Sequence, residues 1–322
     1  MIFTSYPAEG SSWADELIYT LSTGSETPED LSIDIRDIER NISLGRCVIY
    51  NVTTARFDVA PYLRQNSTPP LLSQVLPEIA ESADTRRVAL LVNGYISETR
   101  RFFRSSFESS RRRLFSLIDE EQTIALGEHI RLTAYGEHSV GMFVDGYVGK
   151  VATEHQVIKE SNGGPMEIII PTEIFPRDTE RIVVSVLCDE LIVKDITYRV
   201  VKRDDSARRL LWYNSLGGLE CYTFPRSVRK RYTARLEELP TVGGERYSRV
   251  HGEVCYELCS AREPCSEISR IAELIFSPQI FEMVGSELRP VRLASRELSF
   301  DTHGTLSRVA IELKYDKNEV LC

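Results

Sequence analysis

One histidine and three cysteines lie close together in the C-terminal third: His251, Cys255, Cys259 and Cys265. Imidazole and thiolate groups are ligands that zinc prefers. Their spacing, H-x3-C-x3-C-x5-C, is not that of a standard finger or ribbon. If 247–259 is one strand, the first three share a face but spread over ~26 Å, too far for one ion. We therefore predict buried thiols and no metal cofactor, with a zinc site as the alternative.

Other catalytic patterns are missing from the sequence. There is no G-x-S-x-G elbow, and none of the five histidines has a serine or cysteine beside it in a recognisable motif. A glycosidase needs two carboxylates facing each other, but no pair stands out among 48 acidic residues. The glycine pairs at 163–164 and 243–244 do not resemble phosphate-binding loops. We predict a protein that is not an enzyme and binds no cofactor.

The charge pattern favours protein contacts over nucleic acid. The net charge of −9 argues against general nucleic-acid binding. Residues 86–113 nevertheless contain eight arginines and only two acids, and 202–235 is also basic. Arginine is suited to carboxylate pairing and to interfaces. The simplest interpretation is solvated faces and ion pairs between subunits, with an acidic polymer as the alternative ligand. The predicted interface arginines are Arg100, Arg101, Arg104, Arg111, Arg112 and Arg113.

The sequence also gives expectations about location. The first residues lack the basic and apolar regions of a secretory signal, and no apolar run approaches the ~20 residues that span a bilayer. Seven scattered cysteines, an odd number, favour reduced thiols. We expect a protein made in the cytoplasm, without a membrane partner.

Alternation of apolar and polar residues dominates the chain and predicts a mainly β protein. For example, Leu31, Ile33 and Ile35 fall on one face of a strand. Strands are predicted at 17–21, 31–36, 47–52, 55–59, 88–92, 130–135, 166–170, 181–188, 191–201, 228–236, 247–258, 280–284, 288–293, 297–300 and 309–315.

Turns are predicted between several neighbouring strands. Asn93-Gly94 favours the turn type that matches strand twist, and Asp145-Gly146 gives a similar signal. Thr53-Thr54 joins 47–52 to 55–59 in a third predicted hairpin, although it lacks glycine, and Asp189-Glu190 separates the two long strands 181–188 and 191–201.

The pattern predicts two or three β-sandwich-like domains in tandem, with one short helix in the last. Their bounds are 1–117, 118–205 and 206–322. The helix is expected at 266–276, after Pro264 and before Ser277-Pro278, because its apolar residues follow a helical spacing. Residues 105–117 are open to two interpretations, a helical face or an arginine-rich connector, and 64–77 is predicted to be a loop.

A cluster of aromatic and turn residues marks the start of the third domain. Large apolar residues fall on two adjoining strands, with an asparagine and two glycines between them that suit a positive-φ turn. We interpret the group as the core and turn of a hairpin, with stacking on a sugar or base as the alternative. Its members are Trp212, Asn214, Gly217, Gly218, Tyr222 and Phe224.

This run resembles the signature W-(L/Y)-N-x-x-G-G-x-x-x-Y-x-F of uncharacterised proteins from phages and prophages of Bacteroides-type bacteria. The resemblance continues through the helix, Ser277-Pro278 and the last strands, and covers the final third of the chain. Proteins of that group are regarded as tail or virion components. The resemblance therefore implies a phage tail or baseplate protein that assembles with itself and with other particle proteins.

Three other functions compete with this prediction. The first is a carbohydrate-binding adhesin module that uses Trp13, Tyr95, Trp212 or Tyr213 as a stacking platform for a glycan. The second is a depolymerase within the same particle, which needs two close carboxylates in a cleft. The third is a zinc-binding regulatory protein.

Overall fold

The computed structural model describes residues 2–13, 15–65, 76–81, 85–104, 113–118, 121–160, 163–202, 204–241, 244–285, 287–294, 296–300 and 305–315. Within these residues the chain is mainly β, with several sheets and a short helix near the C-terminus, as predicted. No helix in these ranges is long and apolar enough to span a membrane.

The first unit is a sandwich of two sheets. One sheet has the order β1-β2-β5, and the other has the order β4-β3-β7-β8, with β9 also paired to β7. Inward-facing residues of both sheets form one core with Trp13 and Phe102. The elements up to residue 104 are β1 (Ile2–Ser5), β2 (Ile18–Ser22), β3 (Glu29–Asp37), β4 (Ile42–Val52), β5 (Thr54–Asp58), α1 (Ala60–Gln65), β6 (Glu78–Glu81), β7 (Thr85–Val92), β8 (Tyr95–Ile96) and β9 (Arg100–Phe103).

One predicted hairpin of this unit is confirmed and another is wrong. Asn93 and Gly94 both have positive φ, 48° and 89°, and join β7 to β8. β4 and β5 follow each other over Thr53 but do not pair: β4 pairs with β3, and β5 pairs with β2 in the other sheet. The chain therefore crosses at Thr53 from one sheet of the sandwich to the other, because β4 and β5 pair with strands of different sheets. The helix α1 begins just before the predicted loop.

The second unit is also a two-layer sandwich. Its sheets have the orders β10-β16-β15-β12-β13 and β11-β14-β6. A core rich in valine and isoleucine lies between them. The strands are β10 (Glu121–Ala125), β11 (His129–Gly136), β12 (Val140–Val148), β13 (Val151–Glu160), β14 (Gly164–Pro171), β15 (Arg181–Cys188) and β16 (Leu191–Val201).

The turn predicted at Asp145-Gly146 is wrong, because both residues lie inside the continuous strand β12. Tertiary packing requires a glycine at position 146, because a Cβ atom there would lie 2.6 Å from the Phe175 ring. The chain turns later, at Gly149, where φ is +58°. The turn at Asp189 and Glu190 is confirmed, with φ of 52° and 68° between β15 and β16.

The third unit is a seven-stranded sheet with a helix on one face. The strand order is β18-β17-β22-β23-β25-β20-β19, and β21 pairs with β24 outside it. The elements are β17 (Arg208–Tyr213), β18 (Leu219–Phe224), β19 (Arg226–Thr241), β20 (Gly244–Cys259), β21 (Glu263–Pro264), α2 (Cys265–Ala272), β22 (Ile280–Val284), β23 (Glu287–Leu293), β24 (Leu306–Ser307) and β25 (Ala310–Tyr315).

The predicted helix is confirmed as α2, which continues as a 3-10 helix over Glu273–Phe276. Its residues Ile268 and Ile271 are fully buried against the sheet. The strand predicted at 297–300 is wrong. Its alternation has another origin, since Leu298 and Phe300 pack on the same core from an irregular segment.

Segments from before residue 118 are hydrogen-bonded to the second unit. β6 forms the third strand of the sheet that contains β11 and β14. Residues 113–118 run beside β11, where the Phe115 amide donates to the Thr133 carbonyl at 2.9 Å. The units are therefore joined by backbone pairing as well as by side chains.

Candidate functional site

The aromatic residues of the hairpin β17–β18 are buried. Trp212 and Phe224 have no exposed surface, and Tyr222 is 2% exposed. The Tyr222 hydroxyl donates to Glu263 at 3.0 Å and accepts from the Ala261 amide at the same distance. Burial raises the pKa of both Tyr222 and Glu263. These side chains form core, as interpreted from the sequence, and are not accessible to a sugar or a base.

The turn of this hairpin is fitted to the segment 113–118. The Asn214 side-chain oxygen accepts from the amides of Leu216 and Gly218, and its nitrogen donates to the Phe115 carbonyl at 2.6 Å. Gly217 has a φ of +82°. A Cβ atom on Gly218 would lie 2.2 Å from the Phe115 oxygen, so only glycine fits.

Glu220 connects three parts of the chain. It is 1% exposed and accepts hydrogen bonds from the Ser116 hydroxyl, the Leu117 amide and the Asn214 amide. Its second oxygen accepts from Arg270 of α2 at 2.6 Å. This carboxylate therefore links the connector, the hairpin turn and the helix.

A second buried ion pair lies between the second and third units. Arg209 of β17 donates to Glu128 at 3.0 Å and to Thr223 at 2.8 Å. Its other nitrogen donates to the His129 carbonyl at 2.7 Å and to the Cys221 sulfur at 2.9 Å. We call the groups around Glu128, Arg209, Glu220 and Arg270 the joint between these units.

The joint holds the second and third units together and includes the buried His129. His129 is 5% exposed, and within the described residues neither ring nitrogen has a hydrogen-bond partner. Burial lowers the pKa of its imidazole, so the ring is held neutral. Removal of one partner from a buried ion pair is strongly destabilising, because it leaves an uncompensated buried charge. The joint thus fixes the third unit against the second.

All four of the predicted interface arginines that the structure describes contact their own chain. Arg104 is buried, and its guanidinium carbon lies 3.7 Å from the centroid of the Tyr213 ring. Arg113 forms an ion pair with Asp189 at 2.9 Å. Arg104 therefore forms an internal contact between the first and third units, where tertiary packing covers it.

The other predicted arginines differ in what the structure places around them. Arg100 pairs with Glu98 at 2.5 Å and lies over the Tyr6 ring, and Arg101 lies over the Phe103 ring. Both are half-buried on β9. Arg111 and Arg112 lie outside the described residues. The six arginines thus do not form one described surface.

The four aromatic residues named for the alternative glycan-binding function do not form a shared exposed platform. Trp13, Trp212 and Tyr213 are at most 2% exposed, because each fills a core. Only Tyr95 is exposed among the four, at the tip of the β7–β8 hairpin. These side chains cannot stack together on a sugar.

The histidine and cysteines of the candidate metal site are spread out along β20. His251, Cys255 and Cys259 all belong to this one strand, so each lies ~13 Å from the next along it. Cys255 is buried, and Cys265 begins α2. In the part of the chain that the structure describes, no three potential ligands come close enough to hold an ion.

The most unusual feature of the molecule is the length of β19 and β20. The two strands pair along 16 residues each, from Arg226↔Cys259 to Thr241↔Gly244. Among the described residues, β25 pairs with the other edge of β20 over Val254–Cys259. Residues 233–241 and 244–253, which we call the arm, therefore extend ~30 Å beyond the sheet.

Both edges of the arm lack a partner strand among the described residues. Each edge presents a row of backbone N–H and C=O groups, which are a template for pairing with another chain. The sequence predicts both strands but not that they leave the sheet. The signal was the length of the alternating segments, since typical strands have about 5–6 residues.

Comparison with known proteins finds neither a family model nor a curated protein that matches this chain.

Proposed function

We propose that this protein is a structural component of a particle and assembles through contacts between copies and with other particle proteins. The arm carries this proposal. A two-stranded ribbon is at best marginally stable alone in water, and its open edges favour addition of a further strand. An arm of this length is thus best stabilised on a neighbouring molecule.

The rest of the molecule suits the support of such an arm. β20 continues from the arm into the seven-stranded sheet, where β25 pairs with its last six residues. The ion pair of Glu128 with Arg209 holds that sheet against the second unit, as do the hydrogen bonds that Glu220 accepts from Ser116 and Leu117. A force on the arm is therefore transmitted to a body with a defined orientation.

The resemblance of the third unit to phage and prophage proteins supports a tail or baseplate as the particle. In that case the chain is made in the bacterial cytoplasm without a catalytic role and is incorporated into a virion or phage-like particle. The signature lies in the hairpin β17–β18 and not in the arm, so the resemblance and the arm support the proposal independently.

The test compares the full chain with a variant whose arm is shortened. Tyr232 and Val254 are opposite each other, so residues 233–253 are replaced by Asn-Gly, which closes a two-residue hairpin. The control carries Val242→Asn, so that residues 242–243 read Asn-Gly, and it keeps the arm at full length. Light scattering after size-exclusion chromatography gives the mass, and electron microscopy gives the shape.

We expect a defined ring, trimer, hexamer or filament for the full chain and for the control. The shortened variant should be a monomer. Its circular dichroism signal, divided by the number of strand residues that it retains, should equal that of the full chain. A full chain that stays monomeric at high concentration, or a shortened variant that assembles like the full chain, contradicts arm-mediated assembly.

A further inference from the structure

A cavity of about 570 Å³ lies where strands of the first unit meet the sheets of the second unit. Small-molecule sites in proteins usually have volumes of roughly 300–1,000 Å³. The first unit contributes two cations to the wall of this cavity, and the sheets of the second unit contribute two carboxylates and two apolar side chains. In that order, these residues are Arg87, Arg101, Glu81, Glu160, Ile79 and Met166.

The two arginines come from neighbouring strands. Arg87 of β7 and Arg101 of β9 are directly opposite each other in the strand pairing, so their side chains leave the same face of the sheet. Like charges at such positions destabilise a sheet, and an anion that binds both relieves their repulsion. Arg87 pairs with Glu39 at 3.0 Å through Nε, one of its three guanidinium nitrogens.

Arg101 is held in a fixed position at the cavity. Its amide donates to a carboxylate oxygen of Glu9 at 3.1 Å, and its carbonyl accepts from the Gly10 amide at 2.9 Å. Its guanidinium carbon lies 5.1 Å from the centroid of the Phe103 ring, which stabilises the cation. A Cβ atom on Gly164 would lie 3.9 Å from its Nη1 atom, so the guanidinium lies beside a residue that has no side chain.

The carboxylates and the apolar groups come from three strands of the second unit. Glu81 is the last residue of β6 and is opposite Met166 of β14, and Glu160 is the last residue of β13. Ile79 and Met166 are at most 7% exposed. In the part of the chain that the structure describes, neither of these glutamates forms an ion pair, and neither does Arg101.

The mixture of charges selects the ligand. A simple anion would be attracted by the arginines but repelled by the two glutamates, and a simple cation would meet the reverse. A ligand with both a carboxylate and an ammonium group is attracted by both sets of charges. Guanidinium groups bind carboxylates through paired hydrogen bonds, and carboxylates accept charge-assisted hydrogen bonds from an ammonium group.

We propose that this cavity binds a zwitterionic amino acid or short peptide that has an apolar side chain. Arg87 and Arg101 hold its carboxylate. Glu81 and Glu160 hold its ammonium group. Such a ligand connects the first unit to the second, and its binding does not involve the arm.

The first experiment measures binding to the full-length protein by isothermal titration calorimetry. The probes are leucine and leucyl-leucine, each compared with a form whose amine is acetylated and with a form whose carboxyl group is amidated. We expect at least one free probe to bind about tenfold or more tightly than either of its blocked forms, a difference of about 1.4 kcal/mol. Each blocked form leaves one set of charges in the cavity without a partner.

Two variants test which side chains hold which end of the ligand. Arg101→Gln should reduce the preference for a free carboxylate over the amide and keep the preference for a free amine. Glu160→Gln should show the reverse pattern. A variant that is only misfolded would weaken all probes alike, so the change in preference separates the two explanations.

The controls change the same residue types outside the cavity wall. Arg56→Gln removes an exposed arginine of β5, and Glu154→Gln removes a glutamate of β13. Both should bind the probes like the wild type. Absence of binding of both free probes at millimolar concentration, or equal binding of free and blocked forms, overturns the proposed ligand. Preferences that stay unchanged in Arg101→Gln and Glu160→Gln overturn the proposed site.

Discussion

Removal of the Glu220 carboxylate should strongly destabilise the third unit. In Glu220→Ala, Arg270 loses a buried ionic partner at 2.6 Å, and the Leu117 amide loses its acceptor. The Ser116 hydroxyl can rotate, and Asn214 keeps its bond to the Phe115 carbonyl. Breaking a buried pair costs about 3–5 kcal/mol, and an unsatisfied amide about 1–3 kcal/mol. Because Arg270 keeps Glu267 as a second partner, we expect about 3–5 kcal/mol in total.

The assay is urea unfolding followed by tryptophan fluorescence, since Trp212 lies 5.6 Å from the Arg270 guanidinium and reports on this region. Glu312→Ala is the matched control. It removes a carboxylate that pairs with Arg231 at 2.8 Å on the surface of the same sheet, where such pairs contribute about 0–1 kcal/mol. A loss below about 1 kcal/mol for Glu220→Ala, or equal losses for the two variants, refutes the assignment of Glu220 as the link of the joint.

Two further predictions concern the same joint. Gly218→Ala should lower the free energy of unfolding by more than about 2 kcal/mol in the same urea assay, because the new Cβ would overlap the Phe115 carbonyl. The control is Gly141→Ala, whose Cβ would meet its nearest atom at 3.3 Å. It should lower the free energy of unfolding by at most about 1 kcal/mol. The His129 imidazole has a pKa that burial lowers below 6.5, so the unfolded chain takes up a proton first as the pH falls through that value. Stability should therefore decrease on acidification below pH 6.5, by at most about 1.4 kcal/mol per pH unit from this group. His129→Phe should remove that part of the slope between about pH 7 and 5.5, and an unchanged slope contradicts the argument.

The local features of the fold follow from the sequence. Alternation identifies Leu31, Ile33 and Ile35 as the buried face of β3, and all three are at most 1% exposed. Asn93-Gly94 identifies a hairpin because few other residues accept positive φ at both positions. The prolines at 264 and 278 bracket α2, since a proline disfavours helix in the residue before it. Each signal depends only on neighbouring residues.

Strand pairing needed the tertiary structure. Gly146 has the sequence of a turn residue but occupies a strand, because the Phe175 ring leaves no room for a side chain. The partners of Glu220 come from residues 116, 117 and 270, which are remote in sequence. Charge partners at such separations have no local pattern that could identify them.

For the arm, too, the sequence predicts the strands and the tertiary structure determines their pairing. The sequence by itself determined that 228–236 and 247–258 form strands, because side-chain alternation is a property of each segment. Only the tertiary structure shows that β25 pairs with β20 over Val254–Cys259, so that the outer residues of both strands extend beyond the described sheet. The physical reason is that strands pair through backbone N–H and C=O groups, which nearly every residue has, so the side chains do not specify the partner strand. Which edges are paired depends on where every other strand of the sheet ends.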